Sequence, residues 1–121
     1  MTAPDVITQP QLASLELDES QPVIYDRPIG LRLLYQDPVS GAEHYLIRYP
    51  PRLQTRRHRH TAAHTIIVLE GAMDANGQQL TAGSYAHFEA GSVHHHASAP
   101  RQSCLFVIIF HGPFDVTPAD A

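Results

Sequence analysis

Residues 55–71 read TRRHRHTAAHTIIVLEG, and three histidines in that stretch decide how the chain is read. His58 and His60 are two apart, so on a strand their side chains leave the same face. Two imidazoles on one face are half a metal site. On a straight strand His64 would stand ~20 Å from His58, at ~3.3 Å per residue, too far to share an ion. Thr61-Ala62-Ala63 must therefore bend the chain if His64 is to return to the same centre. His94, in the later segment GSYAHFEAGSVHHH (residues 83–96), adds a fourth imidazole from another strand. The layout is that of a metal cup inside a small β-barrel.

The flanking sequence is strand-like throughout. Leu31, Leu33 and Tyr35 alternate with Arg32 and Leu34, Asp37-Pro38-Val39-Ser40-Gly41 is turn chemistry, and His44 to Tyr49 returns as the second arm of a hairpin. Pro50-Pro51 breaks the ladder. Thr65 to Leu69 is a β-branched run suited to a buried strand. Asn76-Gly77 signals a two-residue hairpin, Ala82-Gly83 and Glu89-Ala90-Gly91 mark further turns, and residues 103–110 form a last apolar strand. Short strands with a turn about every ten residues predict a sandwich or closed barrel. Pro4, Pro10 and Pro22 exclude a helical period near the N-terminus.

Beyond shared parity, the spacing of the histidines and glycines resembles the two motifs of the cupin superfamily, G-x5-H-x-H-x3,4-E-x6-G and G-x5-P-x-G-x2-H-x3-N. Gly71, Gly83, Gly91 and His94 fall on motif positions. Arg52 stands at the first glycine, Glu89 at the proline and Ser98 at the asparagine. The resemblance covers about residues 31–111. It implies an all-β fold, a jelly-roll type double-stranded β-barrel, as one domain with an extended N-terminal arm. The expected division is arm 1–28, barrel 29–112 and C-terminal tail 113–121. By the same resemblance His58, His60 and His94 take the three metal-ligand histidine positions, and His64 takes the position of the ligand glutamate. The arm is expected to pack across a partner subunit. LRLLYQDPVSGAEHYLIRYPP (residues 31–51) followed by RHRH is similar to the cupin module of zinc-binding anti-sigma factors. It is also similar to small cupins related to acetylacetone-cleaving and dihydroxyacetophenone-cleaving dioxygenases.

The ligand set is four histidines without a carboxylate, so the ion keeps its full +2 charge. Such a site favours anionic ligands such as an enolate, diketonate or carboxylate, and acidifies a bound water. Imidazole suits iron, manganese, zinc, nickel, cobalt and copper, so one divalent transition metal is expected with its identity open. A six-coordinate ion would keep two open positions for a substrate, whereas tetrahedral zinc would be closed and structural. His96 shares the face of His94 and is the candidate proton donor or supporting group. His95 alternates outward, His87 is ambiguous, and His44 and His111 are expected at the surface. Arg57 and Arg59 alternate outward. Arg56 has the inward parity and is the candidate anchor for a substrate carboxylate.

Bulk properties bound the rest. A chain of 121 residues is one domain. Net charge is −4 and all eight basic residues are arginine, which argues against nucleic acid as a partner. Cys104, the single cysteine, excludes an internal disulfide and sits in the apolar run CLFVIIF, as an inert buried thiol would. MTAPDVITQP has no secretory pattern and no apolar stretch reaches ~18 residues, so the expectation is a cytoplasmic protein with no membrane span. A small-molecule ligand and a homodimer are expected, since open sheet edges need covering and dimers are the commonest assembly. Two functions follow: a small metal-dependent oxygenase, or related lyase or isomerase, acting on an enolisable or carboxylate compound; and a non-catalytic metal-binding sensor or regulatory module.

Overall fold

The computed structural model describes residues 6–119; the first residues of the expected arm and the end of the expected tail lie outside them. Among the described residues eleven antiparallel strands form two sheets. They are β1 (Asp18–Ser20), β2 (Ile29–Gln36), β3 (Glu43–Tyr49), β4 (His58–Arg59), β5 (His64–Ala75), β6 (Gln78–Thr81), β7 (Tyr85–Phe88), β8 (Val93–His94), β9 (His96–Ser98), β10 (Cys104–Phe110) and β11 (Thr117–Pro118). The larger sheet runs β1-β2-β3-β10-β5-β6, with β7 and β9 also paired to β5, and the smaller runs β11-β4-β8. The larger sheet curls into a half-barrel. Among the described residues the single helical element is a 3-10 turn at Leu12–Ser14, and no helix is long and apolar enough to cross a membrane.

The turns form where their chemistry predicts. Asp37 accepts from the Val39 and Ser40 amides and the Ser40 hydroxyl, closing the β2–β3 hairpin. Asn76 and Gly77 both have positive φ, 52° and 85°, as a two-residue hairpin between β5 and β6 requires. Strand β5 serves both halves of the barrel: His64–Ile67 pair with β7, and Ala72–Ala75 pair with β6. Gly71 divides the halves, with φ 78°. A Cβ there would lie 1.8 Å from the Ser103 carbonyl oxygen, so only glycine lets β10 approach. Arg52, at the motif's first glycine, has φ 65°, so the left-handed turn persists without its usual residue. Ser98, at the motif's asparagine, ties that turn down: its hydroxyl donates to the Pro50 carbonyl and accepts from the Leu53 amide.

One apolar cluster fills the half-barrel, built on Ile47, Tyr49, Leu53, Ile66, Val68, Met73, Phe106 and Ile108. Cys104 is fully buried in it, and desolvation pushes its thiol up to about 12, so the expected inert thiol is found. A register shift between Leu33 and Tyr35 interrupts the alternation: Leu33 stays opposite Tyr45 on the core face, whereas Tyr35 comes opposite His44 on the other. Both chain ends pack on the barrel. Ile24 is buried, Tyr25 bridges to Thr55, and β1 adds to the edge of β2. After Gly112 the chain does not trail away: β11 pairs with β4, with Pro118 opposite His58. Alternation alone gave no sign of that strand, because two residues carry no period.

Candidate metal centre

Strand register brings the histidines together. His58 lies directly opposite His94 in the β4–β8 pair. Residues 61–63 bend between β4 and β5, as the spacing demanded, and the His60 and His64 rings come to 4.9 Å. His64 lies opposite Phe88 on one side and Phe110 on the other. His96 follows His94 at the same parity and faces inward, whereas His95 is exposed. All five inward imidazoles are buried: His58, His60, His64, His94 and His96.

Their ligand atoms form two overlapping groups, each within 4.8 Å: His60, His64 and His94, and His58, His94 and His96. Aromatic rings wall the cluster. Phe88 stacks on His64 at 4.6 Å and 10°, and Phe110 lies 5.1 Å from His60 and 5.3 Å from His64. Desolvation in this wall holds the imidazoles neutral. His58 is lowered to about 4, His94 to about 3 and His64 to about 2, with His60 lowered and His96 well below the usual range.

The residues fit a metal ion by the accounting of buried polar atoms. His58 Nδ1 donates to the Arg56 carbonyl at 2.7 Å and His60 Nδ1 to the Asp115 carbonyl at 2.5 Å. A carbonyl only accepts, so Nδ1 carries the proton in both rings and Nε2 keeps its lone pair. An imidazole held by a backbone carbonyl through one nitrogen is the usual posture of a metal ligand. His58 Nε2, both nitrogens of His64, His94 Nδ1 and His96 Nε2 are buried with no hydrogen-bond partner. Leaving such atoms unpaired costs about 1–3 kcal/mol each, and a cation among them takes up one lone pair from each ring.

A cavity of about 100 Å³ adjoins the cluster, bordered by His58, His60 and His96 and by Ile24, Tyr25, Leu31, Tyr45, Tyr49 and Phe114 among others. None of its lining residues is an arginine or a carboxylate. Arg56 is not among the residues that border it. Its side chain is exposed, because β4 begins only at His58 and the inward parity does not extend upstream of it. What Arg56 brings to the site is the carbonyl that holds His58. Glu89 is also exposed. On the outer face the Thr65 hydroxyl lies 3.0 Å from His87 Nδ1 and 2.8 Å from His111 Nε2, and both histidines are exposed.

Two groups at the site gave no sign in the sequence. Asp115 holds His60 with its carbonyl while its carboxylate accepts from the Thr61 amide and hydroxyl. Tyr49 sets its hydroxyl 3.2 Å from His96 Nδ1 and 3.1 Å from the Tyr25 hydroxyl. Both contacts join residues more than forty positions apart, beyond the reach of any local pattern.

Comparison with known proteins agrees with this architecture. No curated protein matches the chain. An acetylacetone dioxygenase from Acinetobacter johnsonii superposes with a TM-score of 0.77 at 19% identity, over 99% of this chain and 80% of that one. The polyketide cyclase RemF from Streptomyces resistomycificus gives 0.75 at 18% identity, over 96% and 87%. The complex of Rhodobacter sphaeroides SigE with the anti-sigma ChrR gives 0.61 at 17% identity, over 68% of this chain and 44% of that chain. At such identities these likenesses establish a common fold. Residues 19–115 match the family model of the ChrR cupin-like domain, and the chain belongs to that cupin family.

Proposed function

We propose that the chain is a small metal-dependent oxygenase, or a related lyase or isomerase, whose centre is held by His58, His60, His64 and His94 and whose ligand is a small enolisable compound. The observation that carries this reading is the pairing of a neutral, buried imidazole cluster with an apolar cavity that has no charged side chain. A divalent transition metal among these ligands supplies a Lewis-acidic charge that favours the enolate form of a carbonyl compound and, if redox-active, access to dioxygen chemistry. The protein's own groups do the rest. The Arg56 and Asp115 carbonyls fix the His58 and His60 rings so that Nε2 points inward. Phe88 and Phe110 keep water from the imidazoles.

Cavity size and polarity narrow the ligand. A cavity of about 100 Å³ limits the ligand to a small compound. With no arginine in the lining, a ligand's negative charge has the ion as its counter-charge, which suits a diketonate better than a compound carrying a separate carboxylate. The fold shared with an acetylacetone dioxygenase is consistent with such a compound.

A second reading rests on the family itself. The matching model is named for ChrR, which is seen in complex with a sigma factor, so a sensing module with a protein partner is the alternative. Metal analysis of the purified protein, followed by oxygen uptake with acetylacetone and related small diketones, separates the two. Uptake that depends on the metal supports the enzyme. Stoichiometric zinc with no uptake and no effect of diketones on the metal supports the sensor. The outward-facing, paired Ile67 and Tyr85 support the homodimer proposed for either reading.

A further inference from the structure

The four-histidine set leaves one buried imidazole unused. His96 is 2% exposed, and its Nε2 has no hydrogen-bond partner. The ring lies 5.1 Å from His94, nearly parallel at 14°, and 5.3 Å from His58 at 85°. Its ligand atom falls within 4.8 Å of those of His58 and His94. We propose that His96 is a metal ligand, and that His58, His94 and His96 form a second position for the ion, overlapping the four-histidine one through His58 and His94. This rests on the metal-centre reading above and replaces the proton-donor role expected of His96.

Three observations favour ligation over donation. A donor role would leave the Nε2 proton buried and unpaired whenever the cavity is empty, whereas a resident ion satisfies the nitrogen permanently. The opposite nitrogen has a partner of the required kind: the Tyr49 hydroxyl oxygen is able to accept from Nδ1–H while its own proton goes to the Tyr25 hydroxyl, 3.1 Å away. In that tautomer the Nε2 lone pair faces the cluster, the arrangement that the Arg56 and Asp115 carbonyls impose on His58 and His60. Lastly, His96 borders the cavity beside His58 and His60, so an ion that it ligates is within reach of a cavity ligand. Two positions sharing two ligands hold one ion at a time.

The test is titration of the metal-free full-length protein with Co²⁺, followed by its d–d absorption spectrum. Wild type binds one ion. His64→Ala still binds one, with an altered spectrum, because His58, His94 and His96 remain. His64→Ala/His96→Ala binds at least about a hundredfold more weakly than His64→Ala, a larger loss than an outer partner usually causes. Tyr49→Phe keeps the ring volume and removes only the hydroxyl. In the His64→Ala background it weakens Co²⁺ about tenfold, the scale of a lost orienting partner. Equal affinity in His64→Ala and His64→Ala/His96→Ala overturns the assignment of His96 and leaves the four-histidine centre standing. No Co²⁺ binding by wild type overturns both.

Discussion

His60 and Asp115, 55 residues apart in the chain, are joined by a 2.5 Å hydrogen bond from the imidazole Nδ1 to the backbone carbonyl. The Asp115 carboxylate fastens the same segment to Thr61, the residue next to His60. The C-terminal segment is thus part of the histidine cluster's support. Asp115→Ala keeps the carbonyl but frees the segment, and it should weaken metal binding about tenfold, at the low end for a lost supporting partner. Competition with a coloured chelator measures this, and unchanged affinity would show that β11 alone holds the carbonyl in place.

Metal-free protein should lose stability in acid. In the unfolded chain the imidazoles protonate near 6.5, whereas in the fold burial delays this to about 4 for His58, 3 for His94 and 2 for His64. Below about 6.5 the unfolded chain binds more protons than the folded one, so stability falls as pH falls through that window. Thermal unfolding at intervals from pH 7 to pH 4 should show a steady drop in midpoint. Replacing His64 by Gln should flatten the drop. A midpoint independent of pH would contradict the neutral buried cluster.

His64→Glu should still bind metal, since a carboxylate is a competent ligand at this place. It should weaken diketonate binding, because a unit negative charge near the ion costs an anionic ligand about 1 kcal/mol, roughly fivefold in affinity. Titration of both metal-loaded proteins with acetylacetone reads the difference. Equal affinities would show that His64 does not set the charge of the centre.

Gly71→Ala should destabilise the fold by about 3 kcal/mol or more, combining a left-handed backbone with overpacking against Ser103. Gly77→Ala shares the positive φ but meets no atom within 4 Å, so its cost should stay near the backbone strain of about 1–2 kcal/mol. Denaturant unfolding of the two variants separates close approach from strain; equal losses would deny the close approach.

The sequence was most informative where chemistry and spacing coincide. The inward clustering of His58, His60, His64 and His94 was legible because a two-residue period, a forced bend and motif glycines converge, and all four are buried. The turns at Asp37–Gly41 and Asn76-Gly77 were legible from their own residues. The exposure of Arg56 was not legible, because parity does not extend upstream of the first paired residue of β4. Asp115 and Tyr49 were illegible because their partners are set by tertiary approach, not by neighbours in the chain. The two-residue β11 was too short to show alternation.

The central claim is that the buried histidines hold a metal ion, and the most direct measurement is metal content per chain in wild type and in His58→Ala/His60→Ala. The double variant removes a ligand from each of the two overlapping groups. We predict one equivalent of divalent transition metal in the wild type after loading and dialysis, and loss of stoichiometric metal in a double variant that stays folded by circular dichroism. Full retention of metal in the folded double variant would contradict the account.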